Sequence, residues 1–150
     1  AYRYPDWNTR TVICCSVQSG CPVGCTFCGS GGKFICNLTD EEIIHQIQHI
    51  IADQGIESDD IAKFQIMFMS MGEPLLNPKH TESAIRKLNL MYPNAQLLIS
   101  TVLPDVSTHW IMNLAKEIDQ VGIQISLHAS IEEARAKLIP AKLKGFDAIE

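Results

Sequence analysis

The sequence predicts an α/β protein, a partial (βα) barrel of about four βα units that forms one domain over residues 1–150. Three observations point there. Apolar residues alternate between short β-branched runs and helical spacing along the whole chain. No repeat, low-complexity tract or charge block interrupts that alternation. A hydrophobic content of 46 % suffices for one core. A closed eight-unit barrel takes about 250 residues, so four units make half of one or an open arc.

The elements follow in order. TVICCSV, residues 11–17, predicts a first strand that delivers the chain into a glycine-rich loop. Thr39 and Glu42 have the spacing of a capping box, Ile43, Ile44, Ile47, Ile50 and Ile51 share one helical face, and Gly55 supplies the stop. KFQIMFMSMGEP, residues 63–74, reads as a strand buried on both faces. Asn77 and Pro78 open a second helix with a buried stripe of Ile85, Leu88 and Met91, ended by Pro93. AQLLISTV, 95–102, is a third strand. Asp105 or Ser107 caps a helix bearing Trp110, Ile111, Leu114, Ala115 and Ile118, with Gly122 as its stop. GIQISLHAS, 122–130, is a fourth strand, and Ser130 with Glu133 caps a last helix that stops at Pro140.

Parallel strands joined by helices gather their chemistry at the carboxyl ends of the strands. The unusual polar residues fall there: the cysteine loop, Gly72-Glu73, Ser100, and Ser126-Leu127-His128. The net charge of −5 is the wrong sign for a surface that tracks phosphates unaided. No run of about 18 apolar residues predicts a membrane span, no secretory leader is visible, and a cytoplasmic location is the expectation.

SGCPVGCTFCGSGG, residues 19–32, sets Cys21, Cys25 and Cys28 among glycines. With no leader, and with three of six cysteines crowded together, ligation is a better reading than disulfide pairing. A structural zinc site wants four ligands, for which Cys14 or Cys36 would have to serve. Three thiolates on a four-iron cluster leave one iron open for chemistry. Gly20, Gly24, Gly29, Gly31 and Gly32 would let the loop wrap closely around such a core.

Cys21-x-x-x-Cys25-x-Phe27-Cys28 resembles the signature of radical S-adenosylmethionine enzymes. Residues Cys14 to Cys21, Asn37 to Thr39, Met69 to Pro74, Ser126 to Ala129 and Arg135 to Pro140 then occur in the order of one branch. That branch methylates an adenine of large-subunit ribosomal RNA at C2, with C8-methylating antibiotic-resistance relatives, and the similarity runs from about residue 10 to 140. The resemblance implies a fold of the radical SAM barrel type, a [4Fe-4S] cluster on Cys21, Cys25 and Cys28, and S-adenosylmethionine on its free iron. An electron would then break a carbon–sulfur bond and yield a 5′-deoxyadenosyl radical. It implies further that Gly72 and Glu73 hold the cofactor's amino group, and that Ser100, Ser126, Leu127 and His128 contact its ribose and methionyl end. Cys14 would be the resolving thiol, the substrate ribosomal or transfer RNA, and the electron donor a flavodoxin or ferredoxin.

Each residue also has a plainer reading. Glu73 could cap the following helix, Ser100 could make a local turn bond, and Cys14 could simply pack in a strand. Cys15 reads as packing, Cys36 has no role, His45 and His49 read as solvated, and Met67, Met69 and Met71 as core or pocket lining. His80 and His109 lie near helix starts with no partner evident from the sequence. The chain departs from the family pattern in four places. No cysteine follows Cys36 to carry the methyl group, Pro140-Ala141-Lys142-Leu143 replaces a Pro-Ile-Asn-Lys stretch, Val17 and Ser70 replace a serine and a glycine, and the upstream acidic segment is nearly absent. A radical enzyme of different substrate, or a cluster-binding fragment without turnover, are the alternatives.

Overall fold

The structure, a computed structural model, describes residues 2, 3, 6–30 and 32–149. Gly31 of the cysteine loop lies outside them. Strand β1 (Tyr2–Arg3) pairs antiparallel with β2 (Thr11–Cys15). A two-stranded antiparallel ribbon follows, β3 (Gln18–Gly20) and β4 (Phe34–Asn37), with the cysteine loop between its strands. Next come α1 (Asp40–Gln54), β5 (Phe64–Phe68), α2 (Pro78–Met91), β6 (Ala95–Thr101), α3 (His109–Glu117), β7 (Val121–Ile125) and α4 (Glu132–Leu138). Single 3-10 turns sit at Ser58–Asp60, Pro74–Leu76 and Phe146–Ile149.

The main sheet has the order β1-β2-β5-β6-β7 and is parallel from β2 onward. Four parallel strands, each leading toward a helix, form the expected α/β arc. On one face Ile13, Phe64, Ile66, Phe68, Leu97 and Ile99 pack against Ile43, Ile47, Ile85, Leu88 and Leu114 of the helices. Burying each such side chain contributes about 1.5–3 kcal/mol. On the opposite face Cys14, Met67, Leu98 and Gly122 stand in register across the four strands. That face is partly polar: Arg10 donates to Gln65 Oε1 at 2.9 Å, and Gln65 Nε2 donates to Gln96 Oε1 at 3.0 Å.

The first helix forms as its local chemistry dictates. Thr39 and Glu42 close the capping box, Ile43, Ile44 and Ile47 are buried, and Gly55 ends the helix with a left-handed φ of 57°.

Elsewhere tertiary partners displace local ones. Asn77 precedes α2 without capping it, because its Nδ2 donates to the carbonyls of Val17 and Leu38, both at 2.8 Å. Met91 is exposed, and Thr81 and Ala84 complete the α2 stripe instead. Neither Asp105 nor Ser107 caps α3, which begins after Thr108 with no side-chain cap, since Asp105 pairs with Lys142 at 2.7 Å. Gly122 lies inside β7 and not at a helix stop; a Cβ there would come 2.7 Å from Leu98 Cδ2. Helix α4 begins after Ile131, not at Ser130, also without a side-chain cap. The runs 63–74 and 122–130 end as strands at Phe68 and Ile125, and their remainders become loops.

Candidate cluster and cofactor site

One open cleft at the carboxyl ends of the parallel strands encloses about 160 Å3. Cys21, Cys25 and Cys28 line it together with Gly72, Glu73, Ser100, Ser126 and His128. Three attachments hold the cysteine loop there. The Gly20 N–H donates to Met71 Sδ at 2.9 Å, in a glycine whose φ of 75° and contact with the Lys33 carbonyl leave no room for a Cβ. Thr26 donates through both N–H and hydroxyl to Leu138 O, at 2.9 and 3.2 Å, tying the loop to the end of α4. Phe27 stacks at a tilt on His128, beyond the end of β7.

Cys21 and Cys25 are half-buried and Cys28 is exposed. Burial pushes the Cys21 and Cys25 thiols up, and at Cys25 the neighbouring Cys21 and Cys28 add to the rise. The thiols therefore share one electrostatic field, which a cationic metal core would reverse. Cys14 and Cys36, the candidate fourth zinc ligands, are not among the cleft's lining residues. Among the described residues no three His, Cys, Asp or Glu side chains are arranged around a single ion. A four-iron cube, which takes thiolates on separate irons, suits three spaced sulfurs on one loop better than zinc does.

Glu73 is 4 % exposed and engaged through both carboxylate oxygens. Its Oε1 accepts from the Thr101 hydroxyl at 2.6 Å and from the Leu75 N–H at 3.0 Å, while Oε2 accepts from the Val102 N–H at 3.0 Å. Burial pushes its carboxyl up, and these three donors oppose that shift. The plainer reading of Glu73 holds in part: it caps the 3-10 turn Pro74–Leu76, not helix α2. Gly72 has a φ of 99°, and an added Cβ would lie 2.6 Å from Gln18 Cβ. Its glycine is thus demanded by the ribbon packed against it. Gln18 in turn accepts from the Glu73 N–H at 2.9 Å and donates to Asn37 Oδ1 at 2.8 Å.

Two of the expected residues fall outside the lining of this cleft. Leu127 is 41 % exposed and does not line it. Cys14 lies half-buried on β2 opposite Met67, its thiol pushed up by burial. Cys15 is fully buried, with Sγ 3.7 Å from Met67 O, as a packing residue should be. His45 and His49 are exposed on α1 with ring centroids 6.4 Å apart. His80 does have a neighbour, with Nδ1 3.6 Å from Asp40 Oδ1. Met69 lines the cleft, as do Thr101 and Val102, which the sequence reading missed. The polar Ser-Thr pair that closes the strand after its apolar Leu-Leu-Ile run was the available signal.

Fold and site together define an α/β core that gathers three thiols and a buried carboxylate on one rim. The chain belongs to the radical SAM superfamily, whose pattern matches residues 15–144. Its cofactors are accordingly a [4Fe-4S] cluster and S-adenosylmethionine.

Among similar proteins, the probable dual-specificity RNA methyltransferase RlmN of Thermus thermophilus is 37 % identical over 142 residues, covering 91 % of this chain. The proteins of the same name from Microcystis aeruginosa and Desulfitobacterium hafniense are 41 % and 40 % identical, covering 88 % and 90 % of it. The chain spans 38–39 % of the length of these relatives. Among the described residues no helix is long and apolar enough to cross a membrane.

Proposed function

We propose that this chain is the cofactor-binding core of a radical SAM enzyme that methylates an adenine of ribosomal or transfer RNA at C2. The observation that carries the chemical part is the convergence of Cys21, Cys25, Cys28 and Glu73 on one cleft. The RNA part rests on the named relatives.

In this reading Cys21, Cys25 and Cys28 would hold the cluster, which when bound would supply the electron for cleavage of a carbon–sulfur bond of S-adenosylmethionine. Glu73 binds the cofactor's ammonium. A carboxylate offers about four acceptor positions. Three are taken, two on Oε1 and one on Oε2, so Oε2 has one left for a charge-assisted bond. The backbone at Gly72 and the side chains of Ser100, Ser126 and His128 contact the ribose and methionyl end, with Leu127 contributing through its main chain. Cys14 acts as the resolving thiol, and the methyl carrier is a cysteine outside these residues, since none follows Cys36. Electrons arrive from a flavodoxin or ferredoxin in the cytoplasm, past the exposed thiol of Cys28.

Anaerobic reconstitution with iron and sulfide, followed by dithionite and S-adenosylmethionine, tests the chemistry through release of 5′-deoxyadenosine. Masses of digested RNA test the substrate. Deoxyadenosine without 2-methyladenosine would retain the radical chemistry and remove RNA methylation. A loaded cluster with no deoxyadenosine would leave a binding fragment.

A further inference from the structure

Arg135 on α4 is 2 % exposed, and no ion pair joins it to a carboxylate among the described residues. Its Nη1 donates to Lys144 O at 2.9 Å and its Nη2 to Val102 O at 2.6 Å. Among the described residues its Nε has no partner, and the guanidinium carbon lies 5.4 Å from the Phe146 ring centroid. Carbonyl dipoles and an aromatic face compensate a buried cation less well than a carboxylate does.

Val102 links this cation to Glu73. Its carbonyl accepts from Arg135 and its N–H donates to Glu73 Oε2. The next residue, Leu103, has a φ of 57°, a strained conformation for leucine that persists only where its surroundings over-determine it. Leu103 N–H donates to Thr101 Oγ1 at 2.8 Å, the same hydroxyl that donates to Glu73 Oε1. Leu103 O accepts from the Lys144 N–H at 3.0 Å. Arg135 and the segment it pins thus hold a strained turn from which two donors, one hydroxyl and one amide, end on the Glu73 carboxylate.

We propose that Arg135 is a positioning residue for S-adenosylmethionine: by holding the Val102 carbonyl it fixes the turn that aims the Glu73 carboxylate at the cofactor's ammonium. The inference rests on the reading of Glu73 given above. The competing role is a plain staple, in which Arg135 joins the segment around Lys144 to the sheet and does nothing for the cofactor.

The test uses the reconstituted chain and equilibrium dialysis of S-adenosylmethionine, with iron content and circular dichroism recorded for every variant. Arg135→Met is expected to weaken binding about tenfold at unchanged iron content, the loss of one hydrogen bond that supports a charged group. On a Glu73→Gln background the same change is expected to add nothing, because the group it aims is gone. Lower thermal stability with unchanged affinity would make Arg135 a staple, and an equal loss on both backgrounds would place its action elsewhere; either overturns the proposal. Wild-type affinity in Glu73→Gln alone would instead remove the reading of Glu73. If Arg135→Met does not fold, Arg135→Lys carries the test, since one ammonium keeps one of the two carbonyl bonds. About a threefold loss confined to the Glu73 background is then expected; none in the folded lysine variant overturns the proposal.

Discussion

The Phe27 ring stands 4.4 Å from the imidazole of His128, centroid to centroid, at an interplanar angle of 41°. His128 meets it from a left-handed backbone, φ 61°, in the turn that follows β7. This contact carries the cysteine loop across the cleft to the last parallel strand, so the loop's shape depends on an element a hundred residues away in the chain.

Loss of that contact should show in the cluster more than in the fold. Phe27 is half-exposed, and an aromatic pair contributes about 0.5–1.5 kcal/mol. Phe27→Ala is expected to leave the melting temperature nearly unchanged while the reconstituted protein loses iron faster to a chelator, followed by the decay of its charge-transfer absorbance. An unchanged rate of loss would show that the ring does not steady the loop.

Under the proposed function the thiols divide into ligands and bystanders. Replacement of Cys21, Cys25 or Cys28 by alanine, one at a time, is expected to abolish stable iron loading, with little effect on the apo fold because none of the three is fully buried. Cys36→Ala, on the exposed face of β4, should load iron as the wild type does. Iron and sulfide analysis per chain decides, and one zinc per chain with no sulfide would sink the cluster.

Gly72 is a backbone position that tolerates no side chain. Gly72→Ala must hold φ at 99° and displace Gln18, whose amide anchors the Glu73 N–H. Destabilisation of about 1–3 kcal/mol is expected, read as an earlier midpoint in urea together with weakened S-adenosylmethionine binding.

Acid should weaken the junction of α1 with α2. Asp40 accepts from Lys87 Nζ at 2.7 Å and from Ser83 Oγ at 2.6 Å, and these bonds hold its carboxyl well below the usual carboxylate range. A carboxyl depressed in the folded state stabilises above its unfolded value of about 3.9, and the contribution disappears as pH falls through the folded value. The melting temperature of the wild type should therefore exceed that of Asp40→Asn near neutrality, and the gap should close progressively below about pH 4. A gap constant down to strong acid would contradict the ion pair as its source.

Some of this molecule was legible from neighbouring residues alone. The Thr39–Glu42 capping box, the isoleucine face of α1, the αL stop at Gly55 and the alternation into βα units all depend on contacts within a few positions of the chain. So does the clustering of Cys21, Cys25 and Cys28, whose spacing is a property of one loop. Capping failed at α3 because Asp105 found Lys142, a partner no local window contains.

By itself the sequence determined the order of the four βα units and the thiol triplet, since periodicity and spacing are local and survive without knowledge of the fold, and its motifs carried the resemblance to the family. Tertiary structure alone decided that Gln18 and Asn37 meet in a ribbon, that Asn77 ties this ribbon to the sheet, and that Glu73 and the cysteines face one cleft. It also buried Arg135 behind the turn that grips Glu73. The physical reason is that a buried polar group must find a partner wherever burial has placed it, and that choice is made only when distant segments close upon one another.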